Sequence, residues 1–129
     1  MAEQARLGCE LIQTESVPIQ IADFPTGGYD KGEVIQVGTG LWGFIVSWAS
    51  DDDESVRYAE SVLLITKAPV AFGAKAVGAI AQGAKLYWDN SAKVFTTTVG
   101  SNPYMGRVRQ AALSADTEVE FIFDRTGDI

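Results

Sequence analysis

The chain contains no histidine. That absence removes Ser-His-Asp and Cys-His mechanisms, most zinc sites and the commonest general base near neutral pH. Cysteine is nearly missing too: Cys9 is the only one, so no intrachain disulfide can form and the fold must rest on packing. Long hydrophobic runs are lacking, and a stretch such as residues 41–46 falls far short of the roughly 20 residues that a membrane-spanning helix needs. No membrane partner is expected. The first ten residues hold two glutamates and no apolar block, which is unlike a secretory signal, so the product is expected to stay soluble where it is made.

Basic charge is scarce as well, with 10 Lys and Arg against 17 Asp and Glu, a net charge of −7. The excess is one-sided. Residues 1–59 hold three basic side chains (Arg6, Lys31, Arg57) against ten acidic ones, whereas residues 60–129 hold seven of each. Nucleic-acid binders need the opposite sign to displace counterions from phosphates, so no nucleic-acid partner is expected. The densest acidic run, Asp51-Asp52-Asp53-Glu54, reads as a solvated loop that aids solubility.

Motifs for cofactor chemistry are absent. The sequence has no Gly-x-x-x-x-Gly-Lys-Ser/Thr loop, and no strand leads through Gly-x-Gly-x-x-Gly into a helix. An EF-hand loop starting at Asp51 would require glycine at its sixth position and glutamate at its twelfth, where Val56 and Val62 stand. Glu118 and Glu120 share a strand face and could in principle form an acid–base pair. Arginines on the neighbouring strand account for them better. No cofactor, metal or catalytic constellation is expected, and the chain does not read as an enzyme.

What is present is β-structure. Residues 83–98, Gly-Ala-Lys-Leu-Tyr-Trp-Asp-Asn-Ser-Ala-Lys-Val-Phe-Thr-Thr-Thr, alternate up to Trp88, turn at Asp89–Ala92, and alternate again through Phe95. That pattern is a β-hairpin. Leu86 and Trp88 share a face and are expected in the core, with Val94 on the return strand, while Tyr87 and Asp89 face outward or toward a neighbouring subunit. Further strands are predicted at residues 17–21, 34–37, 41–48 and 61–66, the last continuing through 70–72, with a short one around 56–58. Pro18 argues for an edge or a strand start. Residues 73–83 are rich in alanine, but three glycines oppose a long helix at roughly 1 kcal/mol each. A loop with at most one or two helical turns is expected there.

The last two strands, 104–110 and 117–123, can be read to the level of register. Pairing Val108 with Val119 sets Arg109 against Glu118, Arg107 against Glu120, Gly106 under Phe121 and Tyr104 against Phe123. A one-residue slip would turn charges into the core. Residues 1–16 show no clean period and read as a loose arm, with one helical turn around residues 3–7. Residues 17–129 read as one domain. The predicted fold is all-β: a small antiparallel barrel or folded sandwich of short strands.

These elements resemble the capsid cement family of tailed phages and prophages. The resemblance is carried by Gly83 with Leu86-Tyr-Trp-Asp89, Val94-Phe-Thr-Thr97, Gly106-Arg-Val108, the Asp116-Thr117 pair before an alternating last strand, and Tyr29-Asp-Lys-Gly-Glu-Val-Ile-Gln-Val-Gly38 upstream. It spans most of residues 29–123, departing at residues 50–60, which are longer and more acidic, and at the arm. The resemblance implies a non-enzymatic virion protein that is made in the bacterial host cytoplasm. It would bind the major capsid protein on the outer surface of an assembled head, commonly as a homotrimer. Leu7, Leu11, Ile12, Trp42 and Tyr87 are the expected interface residues, with the arm adding a strand to a capsid edge. Two other readings stay open at this stage: a ring-forming tail or head–tail joining protein, and a ligand-binding barrel using Trp42, Trp48 and Trp88.

Overall fold

A computed structural model of the protein describes residues 4–9, 13–20, 32–45 and 61–127. The described residues form nine strands: β1 (Ala5–Leu7), β2 (Glu15–Gln20), β3 (Val34–Val37), β4 (Leu41–Ile45), β5 (Ser61–Ala74), β6 (Lys85–Asp89), β7 (Val94–Thr96), β8 (Tyr104–Gln110) and β9 (Glu118–Phe123). A 3₁₀ turn, Arg125–Gly127, follows β9. Seven strands make a curled antiparallel half-barrel in the order β3-β4-β5-β9-β8-β6-β7. The all-β expectation holds. No helical turn forms between Ala74 and Lys85, where the chain runs as a loop.

The long strand β5 is the spine. Its first half pairs with β2 and β4, and its second half with β1 and β9. Pro69 sits where the β5–β9 register shifts between Ala68 and Ala71. Proline cannot donate to a ladder, so an irregularity is where a strand of this length can hold one. Pro18 lies in β2, which among the described residues pairs with β5 alone, in keeping with the edge position its sequence signal predicted. The sheet curls until β7 returns to the end of β5, where Ala76 N–H donates to Phe95 O at 2.9 Å and Lys75 bridges Phe95. Gly73 permits this approach, because a Cβ there would collide with the Phe95 ring.

A row of aromatic rings fills the curl. Trp88 packs on Phe95 (4.8 Å between centroids), Phe95 on Phe121 (4.7 Å), Phe121 on Phe123 (6.3 Å) and Phe123 on Phe44 (5.7 Å). All five are essentially fully buried and span the core from hairpin to β4. Such rings supply both burial and the geometric preference of tilted stacking. Leu64 and Ile45, paired across β4 and β5, are buried on the opposite face, so that part of the sheet is covered on both sides.

Two expectations are corrected. β8 and β9 are antiparallel neighbours, but Val108 pairs with Phe121, Arg107 with Ile122 and Gly106 with Phe123. The register is thus two residues from the predicted one. The same side chains keep their faces, because a two-residue shift preserves parity. Tyr104 instead pairs with Tyr87 on β6, where an extra residue, Met105, bulges out of the ladder and turns inward to full burial. Gly106 makes the bulge possible, with φ at +147° and a Cβ position that would run into the Ile122 carbonyl.

The second correction concerns the arm. Residues 5–7 are neither loose nor helical: Ala5, Arg6 and Leu7 pair with Gly73, Phe72 and Ala71. Gln4 and Ala5 N–H groups donate to Gly32 O, and the buried Gln4 side chain accepts from Val34 N–H at 2.8 Å. The arm's beginning is therefore tied both to β5 and to the start of β3.

Candidate functional site

The hairpin β6–β7 pairs Tyr87 with Thr96, Trp88 with Phe95 and Asp89 with Val94. Asp89 Oδ1 accepts from the Ser91 and Ala92 N–H groups, and Lys93 closes the turn at φ 60°. Leu86 and Trp88 are fully buried, and the Trp88 indole N–H donates to Asn90 Oδ1. Val94 is half-buried. Trp88 is consumed by the core, which leaves the ligand-binding reading without that aromatic.

Tyr87 does not face outward: it is 8% exposed and packs edge-on to Tyr104, 5.8 Å between centroids. The strand alternation does place it opposite Trp88, but its ladder partner covers it. Trp42 is half-buried against the core cluster, as is Leu7. Leu11, Ile12 and Trp48, and the acidic run at Asp51, lie outside the described residues.

The face of β5, β9 and β8 turned away from the core carries the charged side chains. Arg6 lies over the Phe72 ring, 4.2 Å from its centroid, and reaches Glu118 Oε1 at 3.0 Å. Arg109 pairs with Glu120, and Lys67 with Asp124 at 3.8 Å. The predicted partnership of arginines with Glu118 and Glu120 is thus right in kind and different in detail, since Arg6 takes Glu118 and Arg109 takes Glu120. Arg107, exposed, donates instead to the Gly83 carbonyl at 2.9 Å. These pairs are solvated, so each contributes only a few tenths of a kcal/mol. The Thr126 hydroxyl and then the Thr126 N–H, with help from Lys67, hold the Asp124 carboxyl below its ordinary range.

Two open grooves flank this face. One, of about 340 Å³, lies among Phe72, Gln110, Thr117 and Glu120; the other, of about 370 Å³, lies among Glu15, Lys67, Pro69 and Ile122. The first groove sets Thr117 among the carboxylates of Asp116, Glu118 and Glu120, of which Glu118 and Glu120 are paired with Arg6 and Arg109. Among the described residues no group of three His, Cys, Asp or Glu side chains could hold a metal ion, and no helix is long and apolar enough to cross a membrane.

Sequence reasoning missed two features. Arg6 and Phe72 meet only because β1 pairs with β5, and no periodicity announces a three-residue strand. The loops after β5 and β8 expose Val77 and Leu113, whose only sequence signal is that residues 76–83 and 111–115 carry no charge.

No curated protein and no solved structure matches the chain. A family model described as phage cement protein matches residues 12–122, which takes in every strand except β1 and the very end of β9. That span contains the hairpin, the Gly106-Arg-Val108 segment of β8, the Asp116-Thr117 pair and residues 29–38, which carry the resemblance. The chain belongs to the phage cement protein family.

Proposed function

We propose that the protein binds the outer surface of an assembled phage head and stabilises the shell without catalysing a reaction. Membership of the cement family assigns a structural role at the phage capsid, and the match over residues 12–122 is the observation that carries the reading. Its partner is the major capsid protein, and its working form is a homotrimer placed where shell subunits meet. Two features of the described surface support the reading: it offers paired charges and open grooves for contact, and Trp88, one of the three tryptophans of the ligand-binding reading, is buried in the core.

The N-terminal segment remains the proposed element for reaching the shell, in a revised form. Ala5–Leu7 pair with β5 and Gly8 N–H donates to Val70 O, so an attachment made by residues 5–8 would have to break these bonds. Mixing the purified protein with expanded empty heads that lack it, followed by cryo-electron microscopy, tests the reading. Ordered density on the outer surface is expected. Heads that stay bare, or density confined to the interior, would refute it.

A further inference from the structure

Arg107, on the outer face of β8, has no acidic neighbour in either of its ladders. The β8–β9 register sets Ile122 opposite it on one side, and Lys85 of β6 stands opposite on the other. Residues directly opposite share a face, so Lys85, Arg107 and Ile122 form one outward row across three strands. The flanking charges are different in kind. Before Ile122 on that face of β9, Glu118 is taken by Arg6 and Glu120 by Arg109; after it, Asp124 is taken by Lys67. Among the described residues Arg107 reaches a neutral group only, the Gly83 carbonyl at 2.9 Å.

Like charges directly opposite each other destabilise a ladder. Local rules of this kind are broken chiefly where a protein has a use for the result. The Arg107 guanidinium is also steadied. One N–H of its fork is committed to Gly83 O, and the others suffice for a bidentate contact with a carboxylate.

At its other end the row runs into the groove of about 370 Å³ between β2 and β9. Ile122 is 42% exposed there, and the register shift between Ala68 and Ala71 sets the exposed Pro69 beside it. The carboxylates that border this groove have a cation at hand: Asp124 pairs with Lys67, and Glu15 lies opposite the same lysine in the β2–β5 ladder.

We infer that this row is a docking surface for a segment of the major capsid protein that carries a carboxylate beside an apolar side chain. Arg107, with Lys85 next to it, receives the carboxylate; Ile122 and Pro69 receive the apolar group. Adjacent strands lie about 4.8 Å apart, so the two partner groups sit roughly 5–7 Å from each other, the spacing of alternate residues in an extended chain. Charge complementarity selects this occupant. A phosphate backbone would engage the cations and leave Ile122 idle, whereas an acidic and apolar segment uses both ends of the row. The inference rests on the proposed reading for its partner and names the face of the barrel that meets it.

Co-sedimentation of the full chain with expanded empty heads, over a range of protein concentrations, provides the test. The native protein should saturate the heads. Arg107→Glu should raise the dissociation constant at least about tenfold, and Ile122→Ser about threefold or more, with thermal transitions unchanged. If the glutamate disturbs folding, Arg107→Gln decides, with a rise of about fivefold or more. Lys93→Glu makes the same change of charge on the exposed hairpin turn and should bind as the native protein does.

Native-like binding by folded Arg107 variants, or by Ile122→Ser, overturns the docking surface and leaves head binding established. An equal loss from Lys93→Glu also overturns it, because net charge alone would then suffice. Heads left bare by the native protein refute the surface and the functional reading together. Random-sequence duplex DNA should not retain the native protein; retention that Arg107→Glu abolishes would assign the row to phosphate and overturn the inference.

Discussion

The hairpin β6–β7 and the N-terminal strand β1 both lie against the same curled sheet, yet they are held by different means. Trp88 and Phe95 bury fully and stack on the aromatic row, so the hairpin is anchored through the core. Strand β1 buries the small Ala5 and the Gln4 amide, and its longest side chain, Arg6, stays on the surface over Phe72. The first is scaffold. The second is a clasp made of backbone hydrogen bonds and solvated ionic contacts, and it precedes the family-matched segment that begins at residue 12. The family match takes in the strands that supply the aromatic row and begins after this clasp.

Four changes bear on that contrast, taken from the largest expected effect to the smallest. Trp88→Ala should cost about 3–5 kcal/mol, since it empties the end of the aromatic row. Urea unfolding measures it, and a loss below about 1 kcal/mol would mean that the hairpin is not core-anchored. Removing residues 1–9 should cost roughly 1–3 kcal/mol, from the lost Ala5 and Leu7 burial and the freed Val34 N–H. A loss equal to that of Trp88→Ala would dissolve the distinction between scaffold and clasp.

Arg6→Ala should cost about 0.5–1 kcal/mol through the Phe72 and Glu118 contacts, with part of the effect screened by added salt. A native-state hydrogen-exchange comparison should show the increase confined to β1 and its neighbours on β5. Asp124 has the smallest expected effect and belongs to neither region, which makes it a baseline. Its carboxyl is held below the ordinary range first by the Thr126 hydroxyl. Its stabilisation is therefore complete above the ordinary carboxylate value near 4 and fades as the pH falls below it. Asp124→Asn should flatten the acid limb of the stability–pH curve slightly; an unchanged limb would exclude this contribution.

Much of the scaffold is legible in the sequence, and the reason is periodicity. Leu86 and Trp88, and Val119, Phe121 and Phe123, declare their buried faces by alternation, and all five are buried. The β8–β9 register is not legible, because alternation forbids a one-residue slip but is blind to a slip of two. Ion pairs worth a few tenths of a kcal/mol could not break that tie. Nor does alternation reveal the irregularities of β8: a bulge in the β6–β8 ladder, which Gly106 permits, turns Met105 into the core, and the β8–β9 ladder shifts between Val108 and Gln110. Tyr87 was misplaced for a related reason: parity gives its face, but not the tyrosine that covers it. The candidate surfaces were the least legible. Strand β1 is too short for a period, and the exposure of Val77 and Leu113 depends on clamps formed by Lys75 and Asp116, which no spacing rule reveals.

The central claim is that this chain reinforces a phage head, and the temperature at which filled heads release their DNA tests it most directly. Heads lacking the protein should release DNA at a lower temperature than the same heads after the purified protein is added back, with the difference saturating as surface sites fill. Identical release temperatures at saturating protein would contradict the account.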